Sequence, residues 1–301
     1  MKRREFIQLL SGGIVLFSSL PLEMNARSRR KPLRFGIVTD SHYADRDVRN
    51  DRYYRHSLDK MRDAMDVFNR SDLDFIIELG DMKDMNPDMT SHDTLRFVDE
   101  IEAVFQQFRG RTYHVLGNHD MDSISKQEFL DHTENSGTAR GHSYYSFTTK
   151  GIRFIVLDTC FNADGSPFDH GNYSWEDAHV SQEELEWLRT ELQRDKKPVI
   201  VFTHILLDYF SDVRDNLCVR NADKVVSLLE ESGHVLAVFQ GHWHAGHYSH
   251  RNGIHYWTMK AMIKNEYPAH NSYAIAEVDA HGNITIQGFS DCESRDLPHV
   301  E

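Results

Sequence analysis

Asp40 with His42, Asp81, Asn118, His204, and His242 with His244 each stand just after a short apolar, β-favouring run of the chain. Two residues apart, the side chains of Asp40 and His42 can project the same way from an extended backbone, and so can those of His242 and His244. Such residues offer four imidazoles, two carboxylates and an amide oxygen. This borderline mixture suits manganese, iron or zinc better than magnesium or calcium, which prefer oxygen alone. A pair of such cations clamps phosphoryl oxygens and activates water, so the set predicts a two-metal hydrolytic centre.

The runs that must position these residues cover 33–39, 73–79, 112–116, 198–203 and 235–240. Each reads as a buried strand, and clefts beyond the carboxyl ends of such strands are where open α/β sheets bind ligands. Chance is the competing explanation, because the chain holds 19 histidines, but it does not account for five clusters each at a strand end. Other histidines read differently. His114, inside a strand run, is expected to be packed core, and His247, His250 and His255 to have surface or supporting roles. Asp120 reads as support for its loop.

Asp40-Ser41-His42, Gly80-Asp81-Met82-Lys83-Asp84, Gly117-Asn118-His119-Asp120, the lone His204 and Gly241-His242-Trp243-His244 come in the order of the D-x-H, G-D-x-x-D, G-N-H-D, H and G-H-x-H motifs of the calcineurin-like metallophosphoesterases. From about residue 33 to its end the chain resembles that family. The resemblance implies two divalent or mixed-valence ions (Mn, Fe or Zn), one held by Asp40, His42 and His244, the other by Asn118, His204 and His242, with Asp81 shared. It further implies His119 as the acid that protonates the leaving oxygen and Asp84 as its orienting partner. The reaction implied is attack by a metal-bridging hydroxide on a phosphodiester or phosphoanhydride bond of a small, nucleotide-like substrate. A phosphomonoesterase is the nearest alternative. A non-catalytic phosphate-binding module, from another class, would not need a general acid.

Met85 stands where the protein serine/threonine phosphatases carry a phosphate-binding arginine, which disfavours a protein substrate. Tyr43-Ala44-Asp45 and the stretch 52–57 are instead similar to the manganese-dependent ADP-ribose/CDP-alcohol diphosphatases, although His42 replaces a glutamine common in that branch. Tyr43, Arg55, His56, Phe161 and Asn162 are candidates for the substrate side, with simple packing an equal alternative.

Between the motifs, helical spacing of apolar residues predicts helices over 53–68 and 92–108, and Ser181 to Glu184 reads as a capping box opening a third. Hairpins are expected from 144–148 with 152–157 and from 273–278 with 284–289. The fold class expected is α/β, a four-layer αββα sandwich of two facing mixed sheets flanked by helices. No linker divides the chain, so residues 27–301 are expected to be one domain.

Residues 1–26, with Arg3-Arg4 before an apolar stretch interrupted by serine and glycine, look like a twin-arginine export signal, too short for a stable membrane span. The expected partners are therefore the twin-arginine export machinery and a small phosphorylated substrate, and the expected location is periplasmic or otherwise extracytoplasmic. A net charge of −13 disfavours nucleic acid. Cys160, Cys218 and Cys292 define no disulfide framework.

Overall fold

The computed structural model describes residues 31–300 apart from Gly171 and Tyr173. The expected export signal, residues 1–26, lies outside them. Among the described residues, no helix is long and apolar enough to cross a membrane.

The chain forms β1 (Leu33–Val38), β2 (Phe75–Glu78), β3 (Arg111–His114), β4 (Tyr145–Thr149), β5 (Ile152–Val156) and β6 (Val199–Phe202). It continues with β7 (Val235–Gln240), β8 (His247–Arg251), β9 (Ile254–Thr258), β10 (Ser272–Val278), β11 (Ile284–Ser290) and β12 (Arg295–Leu297). Helices α1 (Ser57–Arg70), α2 (Ser91–Phe105), α3 (Lys126–His132), α4 (Gln182–Gln193) and α5 (Ala222–Ser232) connect them.

Two six-stranded mixed sheets result, in the orders β12-β11-β10-β1-β2-β3 and β4-β5-β6-β7-β9-β8. In the first, β1, β2 and β3 are parallel, and in the second β5, β6, β7 and β9 are. Parallel strands are covered on both faces, which explains their nearly continuous apolar sequence. The inner faces meet through aromatic rings: the Phe35 ring on β1 lies 5.7 Å from those of Phe154, Phe202 and Phe239 across the interface. Phe75 adds a contact to Phe154 at 4.9 Å. Such edge-to-face packing fixes one sheet against the other beyond what apolar burial alone provides. Outside, α1 sets Phe68 against Tyr273 of β10, and the Arg153 guanidinium of β5 donates to the Glu191 carbonyl of α4 at 2.6 Å. This is the four-layer sandwich expected from the sequence.

The expected helix at 53–68 starts later, because Tyr54–His56 forms a 3-10 turn before α1. Ser181 accepts the Glu184 N–H, as its capping role requires. The Glu184 side chain does not return the bond; it is buried and accepts the Asp158 N–H at 2.8 Å. The β8–β9 hairpin was not anticipated, although Asn252-Gly253, both at positive φ, carries the signature of a two-residue turn.

Candidate metal centre

The parallel strands of both sheets deliver their candidate ligands to one edge of the sandwich. Asp40 and His42 follow β1, Asp81 follows β2, Asn118 follows β3, His204 follows β6, and His242 and His244 follow β7. The backbones there are tightly drawn in. A Cβ on Gly80 would lie 2.6 Å from His204 Nδ1, and one on Gly241 would lie 2.4 Å from Thr39 Oγ1, so neither position has room for a side chain. Asp40, His42, Asp81 and His242 adopt positive φ of 52°, 44°, 56° and 66°, a left-handed conformation that non-glycine residues seldom take, so tight turns and not the expected extended backbone aim the paired ligands.

Asp40 Oδ1, His42 Nε2 and His244 Nε2 converge. The two nitrogens are 3.0 Å apart, and the carboxylate oxygen is 3.6 Å from His42 and 3.3 Å from His244. Neighbouring ligands of a single ion with bonds of about 2.0–2.2 Å have such separations. The other Asp40 oxygen is held by the Thr39 hydroxyl at 2.7 Å and the His242 N–H at 3.1 Å.

A second group joins Asp81, His204 and His242. His204 Nδ1 donates to the Leu79 carbonyl at 2.8 Å, which fixes the tautomer and leaves the Nε2 lone pair facing inward. Asp81 Oδ2 is 3.2 Å from that nitrogen and 3.5 Å from His42 Nε2, so one oxygen faces both groups. Its other oxygen accepts the His119 N–H at 2.7 Å.

Asp40 Oδ1, Asn118 Oδ1, His204 Nε2 and His242 Nε2 are buried without a hydrogen-bond partner. Buried polar atoms are rarely left so, and four in one cluster fit cations as the missing partners. Charge is divided among the four imidazoles: against burial, Asp81 raises the pKa of His42 and pushes that of His204 up to about 9, drawing positive charge to the centre. Burial and the nearby His204 push His242 down to about 3, and burial, offset in part by Asp40, pushes His244 down to about 4, so both present neutral nitrogens. Burial opposes ionisation of Asp81, but the imidazoles of His204, His119 and His42 outweigh it and keep the carboxylate charged.

His119 turns Nδ1 towards Asp84 Oδ1 at 3.7 Å and Asp122 Oδ2 at 3.6 Å. Burial opposes its charging, yet Asp81, Asp84 and Asp122 hold its pKa well above the ordinary imidazole value. Asp84 also lies 3.4 Å from His42 Nδ1, so it serves two rings rather than His119 alone. Asp122 was missed in the sequence, although three positions after His119 in a helical turn it was within reach. It pairs with the buried Lys83 ammonium. Asp120, as expected, is a backbone support: it accepts the N–H groups of Gly117 at 2.8 Å, Asp81 at 3.1 Å and Met82 at 2.9 Å.

The family profile of the calcineurin-like phosphoesterases matches residues 33–246, which hold every one of these groups. The chain belongs to that family. Within it, the chain is similar to a manganese-dependent ADP-ribose/CDP-alcohol diphosphatase from Arabidopsis thaliana, 26% identical over 91% of this chain and 99% of the relative. A protein of the same name from Oryza sativa subsp. japonica is 28% identical over 80% of this chain and 87% of its own length. The fold is shared with a dimetal phosphatase from Danio rerio, with a TM-score of 0.75 and 22% identity over 90% of this chain and 100% of that one. The protein is thus a metal-dependent phosphoesterase with the dinuclear centre of its family.

A cleft of about 400 Å³ opens over this phosphoesterase centre, with Asn118, His119, His242 and His244 on its floor. Its walls carry Arg52 and Trp243, which the sequence placed only within motifs, and Trp175, Arg214 and Lys264, which did not stand out there. The substrate-side candidates lie elsewhere. The Tyr43 hydroxyl donates to Glu100, Arg55 pairs with Asp45 and Asp47 on the surface, the His56 ring packs on Tyr53, Phe161 lies under the Lys126 ammonium, and Asn162 closes a local turn with Ser166.

Proposed function

We propose that this chain hydrolyses the phosphoanhydride or phosphodiester bond of a small nucleotide-linked substrate, at a pair of Mn, Fe or Zn ions. Asp40, His42 and His244 would hold one ion, Asn118, His204 and His242 the other, and Asp81 would join them. The observation that carries this is the single Asp81 oxygen set 3.5 Å from His42 and 3.2 Å from His204, which ties two donor groups into one centre. When bound, such a pair supplies a hydroxide nucleophile near neutral pH and neutralises charge on the phosphoryl oxygens.

The chain's own groups supply the rest. His119, its Nδ1 engaged by carboxylates, presents its opposite ring edge to the cleft and gives a proton to the departing oxygen. Arg52 and Lys264 line the same cleft and bring positive charge to the phosphate groups. The names of the relatives favour a diphosphate-linked substrate over a phosphomonoester. Kinetics with Mn²⁺ on ADP-ribose, CDP-choline, bis-p-nitrophenyl phosphate and p-nitrophenyl phosphate decide it: the first two should give the highest kcat/KM, and a preference for p-nitrophenyl phosphate would overturn the reading.

Residues 1–26 we assign as a twin-arginine signal, supported by Arg3-Arg4 ahead of the apolar stretch, with an extracytoplasmic destination. Substituting both arginines should retain the product in the cytoplasm. Unchanged export would refute the assignment.

A further inference from the structure

The two sides of the cleft differ in chemistry. On the His242 side stand two indoles. Trp175 places its ring 5.4 Å from that of His242, and Trp243 projects from between the two histidines of its motif, with the Arg214 guanidinium 5.2 Å from its ring centre. This wall is built rather than loose. The short turns Trp175–Asp177 and Asp215–Leu217 are tied together where Asn216 donates to the Glu176 carboxylate at 3.0 Å and Arg220 Nε donates to the Glu176 carbonyl at 2.6 Å. Trp243 is fixed by its N–H to the Gly241 carbonyl at 2.8 Å and by its own carbonyl, which accepts from Gly246 at 2.9 Å. Arg214 has no ion-pair partner among the described residues.

On the His244 side a second cavity of about 300 Å³ adjoins the cleft, lined by Lys260, Lys264, His270 and Asp291, with no tryptophan, tyrosine or phenylalanine. Planar π surfaces beside an unpaired cation suit a base carrying phosphate, whereas ammonium, imidazole and carboxylate groups suit hydroxyls and a distal phosphate.

From this asymmetry we infer that the nucleobase of the substrate stacks in the Trp175, Trp243 and Arg214 arm, and that the non-nucleotide half lies in the polar arm beside Lys260 and His270. The inference rests on the nucleotide-linked reading above and assigns each half of that substrate to a side. Because the wall is preorganised, stacking a base there requires little ordering. Losing one indole should therefore weaken a base-bearing ligand by about tenfold or more, as replacing a stacking ring does elsewhere.

The test is equilibrium binding of AMP and of ribose 5-phosphate to the Mn²⁺-loaded protein, followed by intrinsic tryptophan fluorescence and calorimetry, with metal content measured on every sample. In Trp175→Ala the ratio of the AMP Kd to the ribose 5-phosphate Kd should rise about tenfold or more, and in Arg214→Met it should rise by a smaller factor. His270→Ala should raise the KM for ADP-ribose while leaving AMP affinity within twofold. A ratio that does not rise in Trp175→Ala, with metal retained, overturns the stacking arm even if ADP-ribose is hydrolysed. AMP binding that depends on Trp175 in a protein inactive on ADP-ribose upholds the arm and overturns the diphosphatase reading.

Discussion

His114 and His204 are both fully buried histidines at or just beyond the end of a parallel strand, yet they are opposites in how their lone pairs are used. His114 Nε2 meets Glu102 at 2.9 Å and its Nδ1 meets Asn135 at 3.2 Å, so the ring is spent within the fold. His204 spends Nδ1 on the Leu79 carbonyl and leaves Nε2 facing Asp81 and the cluster of orphaned atoms. Burial does not separate a structural histidine from a ligand. What separates them is whether the protein itself consumes both ring nitrogens.

The comparison breaks most severely at Asp81. Asp81→Ala should cost on the order of 10³-fold or more in kcat/KM and leave fewer than two ions per molecule by elemental analysis, since it removes the group common to both sites. Retained dinuclear stoichiometry would show that the bridging role is misassigned. Next, His119→Ala should lower kcat by about 10²- to 10⁴-fold with both ions kept, because its Nδ1 is turned to Asp84 and Asp122 although its ring packs 4.8 Å from that of His42. Metal loss in that variant would move His119 to the ligand side.

His114→Leu should do the reverse: full metal content and near-normal kcat, with about 3 kcal/mol less stability in urea melts, because Glu102 is left buried without its partner. The pair also gives stability a pH dependence. Burial opposes both charges, but each partner outweighs it, so His114 is raised above 6.5 and Glu102 lowered below 4.5. The His114 share is complete below pH 6.5 and fades as pH climbs through its raised folded pKa. The Glu102 share is complete above pH 4.5 and fades as pH falls through its lowered one. His114→Leu should therefore narrow its gap from wild type as pH rises through the raised His114 pKa.

The smallest effect comes from Glu184, which tests whether an orphaned atom alone implies function. Its Oε2 is buried without a partner, as in the metal centre. Burial, then Asp158, holds its pKa well above 4.5, so it stays a neutral acid and needs no cation. An acid raised on folding loses stability as pH climbs from 4.5 towards its folded value. Glu184→Gln, which keeps the acceptor for the Asp158 N–H, should be more stable than wild type at pH 8 and little changed at pH 5 in thermal melts. No gain at pH 8 would mean that the carboxylate is ionised and bound to something.

The donor groups were legible in the sequence because a buried apolar run marks each strand, and the ligand-bearing turns begin where the strands end. Asp40, Asp81 and His204 lie within three residues of their strand ends, Asp40 and Asp81 in left-handed turns that the pattern does not reveal. The cleft walls were not legible. Trp175, Arg214 and Lys264 sit on irregular turns far apart in the chain, where no period predicts direction and only the folded contacts bring them together. Tyr43 and Arg55 illustrate the converse: both lie near the motifs in sequence, yet Tyr43 turns into the core against Phe97 and bonds Glu100, and Arg55 pairs with Asp45 and Asp47 on the surface. For Glu184 the capping pattern was correct about the backbone and blind to the side chain, because burial against Asp158 competes with the cap.

The left-handed backbone at Asp40, His42, Asp81 and His242 is a conformation that glycine adopts at about 1 kcal/mol or more less strain for each, side-chain hydrogen bonds aside. A lineage that abandoned hydrolysis would thus be released from that strain at the very places where it lost its activity. Glycine rather than alanine at His42 or Asp81 is the replacement by which such an inert descendant would be recognised.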